Sequence, residues 1–134
     1  MVIWGGENAG GVPLGDGAIW GPPGGSWRSV PDSAGFLAPA SRVQGATTSV
    51  GLFLFGGATA SGASGAGAFL DLNRLAWYPA PTPGPAARFG HSVAAALPTN
   101  DVLIFGGADP GVAGAFHDIW RLPAERTQFL YRKP

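Results

Sequence analysis

Apolar residues collect in short runs along the chain, and each run stops where glycine begins. Val2-Ile3-Trp4, Leu52-Phe53-Leu54-Phe55 and Val102-Leu103-Ile104-Phe105 are apolar at every position, and a Gly-Gly pair follows each. A strand with one wet face alternates, so a run without alternation predicts a strand buried on both faces. The pairs are Gly5-Gly6, Gly56-Gly57 and Gly106-Gly107, and their second members are spaced by 51 and 50 residues. Glycine there removes two side chains where the backbone must turn or approach another strand closely.

Further markers keep the same step. Trp27, Trp77 and Phe129 are spaced by 50 and 52 residues, and each follows its Gly-Gly pair by 20 to 22. Between the markers lie Ala18-Ile19-Trp20, Ala68-Phe69-Leu70-Asp71 and Asp118-Ile119-Trp120-Arg121-Leu122, which read as equivalent third strands. Segments of small and branched residues, 44–50 and 90–97, precede two of the apolar runs. Each repeat therefore predicts four short strands, with Trp27, Trp77 and Phe129 as outer-strand wedges between splayed sheets. Helical periodicity is missing, and prolines recur too often for long helices. Residues 7–17, 58–67 and 108–115 fall at equivalent places as loops, and the Pro-rich stretch 79–85 reads as an extended connector between units.

These residues resemble the kelch repeat. Its pattern is an Arg and a His opening the first strand, a hydrophobic run ending in Gly-Gly, an Asp-aliphatic-Trp segment and a later Trp. The third unit has Arg88-Phe89-Gly90-His91-Ser92, then 102–107, then Asp118-Ile119-Trp120, with Phe129 for the later Trp. The second unit has Arg42, Gly45 where the His is expected, Gly56-Gly57, Asp71 and Trp77, while the first begins inside its second strand. The resemblance covers nearly the whole chain. It implies an all-β fold, a partial β-propeller of about 2.7 four-stranded antiparallel kelch blades, with repeats over 1–40, 41–86 and 87–134. Propellers close with about four to eight blades, so a fragment of a larger propeller is expected, since open edges and apolar blade faces would otherwise be left bare.

Composition narrows the partners. Lys+Arg 8 balances Asp+Glu 8, and only 12% of residues are charged, so nothing draws nucleic acid or an anionic membrane surface. Gly 23 and Pro 13 would suit a disordered chain, but 46% apolar residues, five Trp and eight Phe suit a packed one. The absence of cysteine excludes disulfides, thiolate metal sites and cysteine nucleophiles. No signal-peptide pattern opens the chain and no apolar run reaches membrane-spanning length, which favours the cytoplasm.

In kelch-like propellers the Gly-Gly loops and the Arg-bearing loops gather on one face. By that resemblance Arg42 and Arg88 are the candidates for partner contact, with Ser41, Gln44 and His91 nearby. The planar Arg fork pairs with carboxylates and stacks on aromatics. The competing and weightier reading has these arginines bonding neighbouring carbonyls or Asp side chains to brace the blades. His91 is expected to bond backbone within its strand. His117 lies 26 residues away without clustered carboxylates, so no zinc site and no other cofactor is expected. The Gly-Gly pairs are not phosphate loops, because neither Lys-Ser/Thr nor a helix follows them. Asp71, Asp109 and Asp118 read as turn-bonding groups with no acid–base pairing, and Ser92 lacks an orienting third group.

The expected function is a protein-binding scaffold that uses Arg42, Gln44, Arg88 and His91, and not an enzyme. Gly5, Gly6, Gly56, Gly57, Gly106, Gly107, Trp27, Trp77, Trp120 and Phe129 belong to the repeat framework. Partners are a protein and the remaining propeller blades of a longer chain, without nucleic acid or membrane. The alternative is a fragment of a kelch-fold enzyme, galactose oxidase-like or sialic acid mutarotase-like, whose catalytic residues lie outside this chain. The galactose oxidase type implies a copper site with a Cys crosslink, which this sequence cannot supply.

Overall fold

The computed structural model describes residues 1–21, 24–96 and 98–123, and within them the fold is all-β with no helix. The first three strands are β1 (Val2–Trp4), β2 (Gly17–Gly21) and β3 (Ser26–Ser29). Then come β4 (Gln44–Thr48), β5 (Gly51–Phe55), β6 (Ala58–Thr59), β7 (Gly62–Ala63), β8 (Gly67–Asp71) and β9 (Ala76–Pro79). The last are β10 (Ser92–Ala96), β11 (Asp101–Phe105) and β12 (Ile119–Leu122). They form separate open antiparallel sheets in the orders β1-β2-β3, β4-β5-β8-β9 and β10-β11-β12, with β6-β7 a small hairpin inside the central unit.

Pairing follows the repeat of about fifty residues predicted from the Gly-Gly spacing. Val2 faces Ile19, Phe53 faces Phe69 and Leu103 faces Arg121, each three positions before its Gly-Gly pair. Trp27 stands opposite Trp20 as Trp77 stands opposite Leu70. Phe129 lies outside the described residues.

The third strands differ from the sequence reading by a shift. Trp120 stands opposite Ile104, where Ala68 stands opposite Leu54 and Ala18 opposite Ile3. Leu122, not Trp120, therefore takes the place of Trp20 and Leu70. Asp71 closes β8, whereas Asp118 precedes β12, so the two carboxylates sit at opposite ends of equivalent strands. The physical reason is loop length: the connection from Gly-Gly to the third strand is longest in the third unit.

Strand pleating gives the central sheet two different faces. Leu52, Leu54, Ala68, Leu70 and Trp77 pack against Val2, Trp4 and Ile19 of the first sheet, joined by Val30 and Leu37 from the connector 30–43 between β3 and β4. Phe53, Phe55 and Phe69 pack the other way, against Val93, Val102, Ile104, Trp120 and Leu122 of the third sheet. The double burial predicted from the apolar run is thus met in β5, where Phe53 and Leu54 are 0% and 7% exposed. Among the described residues nothing covers one face of β1 and one face of β11. Trp77 acts as the predicted wedge: its ring meets Trp4 edge-on at 6.3 Å, and its indole N–H donates to Pro31 O at 2.8 Å. Trp27 lies on an open face and only tilts against Trp20 at 5.4 Å.

Candidate functional site

The Gly-Gly pairs build the loop face by holding the segment that opens the following unit. Gly57 N–H donates to Arg88 O at 2.9 Å, as Gly6 N–H donates to Ala40 O at 2.9 Å. Glycine is required at Gly56: φ is +69°, and a Cβ would lie 2.5 Å from Arg88 O and 2.6 Å from the His91 ring. These bonds also define which residues correspond. Ala40 takes the place of Arg88. Ser41 then exchanges backbone bonds with Ala58 as Phe89 does with Ala108. Arg42 corresponds to Gly90, and both are left-handed with φ of 56° and 65°. Gln44 and Ser92 then stand opposite Phe55 and Phe105, which places Val43 at the position of His91.

Arg42 and Arg88 are therefore not equivalent, and Val43 rather than Gly45 occupies the histidine position. The two hairpins explain the offset. Residues 49–50 join β4 to β5, whereas 97–100 join β10 to β11, so the third unit holds two more residues between Arg88 and its Gly-Gly pair than the second holds between Ala40 and its own.

Arg88 is spent inside the fold. It is fully buried, and its Nε donates to Ala86 O at 3.0 Å. Its Nη1 donates to Gly106 O at 2.9 Å and to Asp118 Oδ1 at 2.6 Å, while Nη2 donates to Asp118 Oδ2 at 2.9 Å. The guanidinium lies 4.2 Å from the centre of the Phe116 ring. This is the bracing arrangement, a bidentate pair stacked on an aromatic face. The Arg88 hydrogen bonds, aided by the Trp120 indole N–H at 2.7 Å, hold the Asp118 carboxyl well below the usual carboxylate range. The first glycine of each pair donates to the carbonyl of Asp16, Ala66 or Asp118, which makes these three equivalent. In the second unit alanine thus replaces both partners of the ion pair, at Ala40 and Ala66. Asp71 plays a different part, accepting the Asn73 and Arg74 N–H groups at 2.8 and 3.0 Å to close the β8–β9 turn.

His91 is buried beneath this pair with its ring edge-on to Phe55 at 5.4 Å. Neither ring nitrogen meets a partner in good hydrogen-bond geometry. Burial, then the Arg88 charge, pushes its pKa below the ordinary histidine value, with the Phe55 backbone pulling weakly the other way.

Arg42 is the exposed member of the set, its guanidinium 5.4 Å from the centre of the Phe89 ring. Ser41 beside it is buried and Gln44 is half-buried at the start of β4. An apolar groove of about 470 Å³ opens nearby, lined by Val12 and Pro13 from the first unit's loop, Ala38 and Pro39 from the connector, and 59–61 from the β6–β7 hairpin. The Ser41–Ala58 bridge pairs the segments that continue from the last two walls, and Arg42 follows Ser41 along the chain. The structure thus brings Arg42 onto Phe89 at the surface, while Arg88 and His91 are buried. Sequence reasoning missed Phe89 and Phe116 as arginine platforms and Asp118 as the ion-pair partner. No local motif signals either contact, because each arginine stacks on a phenylalanine far along the chain.

Among the described residues no group of three His, Asp or Glu side chains comes together as a metal-binding set, and no helix is long and apolar enough to cross a membrane. The chain matches no protein-family model, and no curated protein is detectably similar to it.

Proposed function

We propose that the chain is a kelch-type repeat module of a larger propeller, and that its Gly-Gly loop face docks a protein segment. The observation that supports the docking site is the contrast between its two arginines. Arg88 is saturated by internal partners, whereas Arg42 is exposed and held in left-handed backbone, and an apolar groove opens between loops of the first two units. A left-handed conformation at a residue other than glycine persists where surrounding structure enforces it, and such positions cluster at functional sites. Arg42 can engage a carboxylate through its two-pronged fork while the groove takes apolar side chains from the same extended segment. The reading therefore assigns an acidic–apolar peptide as ligand, with Gln44 and Ser41 as neighbours and Arg88 and His91 as supports.

The test is selection of a displayed peptide library on the purified chain. Enrichment of peptides combining a carboxylate with apolar residues is expected, and Arg42→Ala or Ala60→Trp should each abolish their binding at unchanged melting temperature. Selected peptides that bind both variants as tightly as the parent overturn the site.

A further inference from the structure

We propose that copies of this chain associate head to tail, the open face of the third sheet of one copy packing on the open face of the first sheet of the next. The partner on both faces is a further copy, so that copies of the chain supply the remaining blades of the propeller proposed above. The grounds are that the chain already contains this interface twice. Val2, Trp4 and Ile19 pack on the central sheet, and the register-equivalent Phe53, Phe55 and Phe69 pack on the third. The next face in that series is formed by Leu103, Phe105, Ile119 and Arg121. The face that such a surface covers is formed in the first sheet by Ile3, Ala18, Trp20 and Trp27.

Exposure at matched positions measures what is uncovered. Phe55 is 2% exposed between sheets, and its counterpart Phe105 is 53% exposed. Leu54 and Ile104 are 7% and 0% exposed, and their counterpart Ile3 is 53%. Trp77 is 8% exposed and its counterpart Trp27 is 48%. Ile119 adds the most exposed apolar side chain of the two faces, at 70%. Apolar surfaces of this kind, gathered on one side of a sheet, mark association sites. Arg121 departs from the pattern by standing where Phe69 stands, but Asp101 Oδ2 lies 2.7 Å from its guanidinium, so the face carries a neutralised pair and not a lone charge.

The two faces differ, so one contact leaves a free face of each kind at the ends of the assembly. Such heterologous contacts propagate into a ring or a filament and do not saturate at a symmetric dimer. This inference stands on the sheet register and is independent of the loop-face ligand, which is read by peptide binding.

Sedimentation velocity on the purified chain tests it. The wild type is expected to show species heavier than the 13.6 kDa monomer, growing with concentration. Ile3→Glu and Phe105→Glu each destroy one face and should each give monomers. Mixed together they still possess one intact face apiece, so an equimolar mixture should form a one-to-one dimer and nothing larger. Trp27→Lys and Ile119→Lys form a second complementary pair should either glutamate variant lose its cooperative melt. A wild type that stays monomeric, variants that still associate, or a mixture that yields no dimer overturns the proposal.

Discussion

Arg88 loses its water and replaces it with two backbone carbonyls, both oxygens of Asp118 and the face of Phe116. Removing Asp118 would strand a buried cation, so Asp118→Ala should cost about 3 kcal/mol of unfolding free energy. The second unit shows how the position is otherwise solved, with Ala40 and Ala66 in place of the ion pair. The double variant Arg88→Ala, Asp118→Ala should accordingly cost less than the sum of its single changes, by roughly 1–2 kcal/mol in urea titration. Arg42 answers to different forces. Its left-handed backbone penalises a Cβ, and its exposed stacking on Phe89 returns only about 0.5–1 kcal/mol. Arg42→Gly should therefore leave the melting temperature unchanged or raised while removing peptide binding, which separates its role from that of Arg88. The sequence presents both residues as the same letter at similar places. Only the bonds from Gly6 and Gly57 reveal that one corresponds to alanine and the other to glycine.

Among the elements, the strands were the legible part. An unbroken apolar run followed by two glycines can be satisfied by few environments, and β5 occupies the one expected. Phe53→Ala should cost about 4 kcal/mol, because the ring is fully buried between two sheets. Phe105→Ser, two register positions along on the open sheet, should cost under about 1 kcal/mol in dilute solution. Gly56→Ala places a Cβ against the Arg88 carbonyl in left-handed backbone, and a loss of about 2–3 kcal/mol is expected. The loops were less legible. Glycine, alanine and serine in 58–67 carry no landmark, so a difference of two residues between units leaves no trace in the pattern. That makes Asp71 and Asp118 read as equivalent, while the longer β10–β11 hairpin makes Arg42 read as the match of Arg88.

At the scale of the whole molecule, titration of a few groups should shape stability against pH. His91 has a lowered folded pKa, so the unfolded chain takes up a proton before the folded one as pH falls below about 6.5. Stability should decline from that point, and His91→Leu should remove the decline. Asp118 and Asp71 are also lowered, so their contribution is complete above about pH 4 and disappears as pH falls further toward their folded values. Two successive losses in thermal melts are expected on acidification, the first belonging to His91 alone. The three-sheet stack has a further consequence for how the molecule opens. Each sheet leans only on its neighbours, as in other repeat arrays, and among the described residues the central one alone is covered on both sides. Backbone deuterium uptake should then run inward from the ends: fastest in β1 to β3, whose outer strand is solvent-washed throughout, and slowest in β5 and β8. Those two strands should lose their protection only when the entire chain unravels.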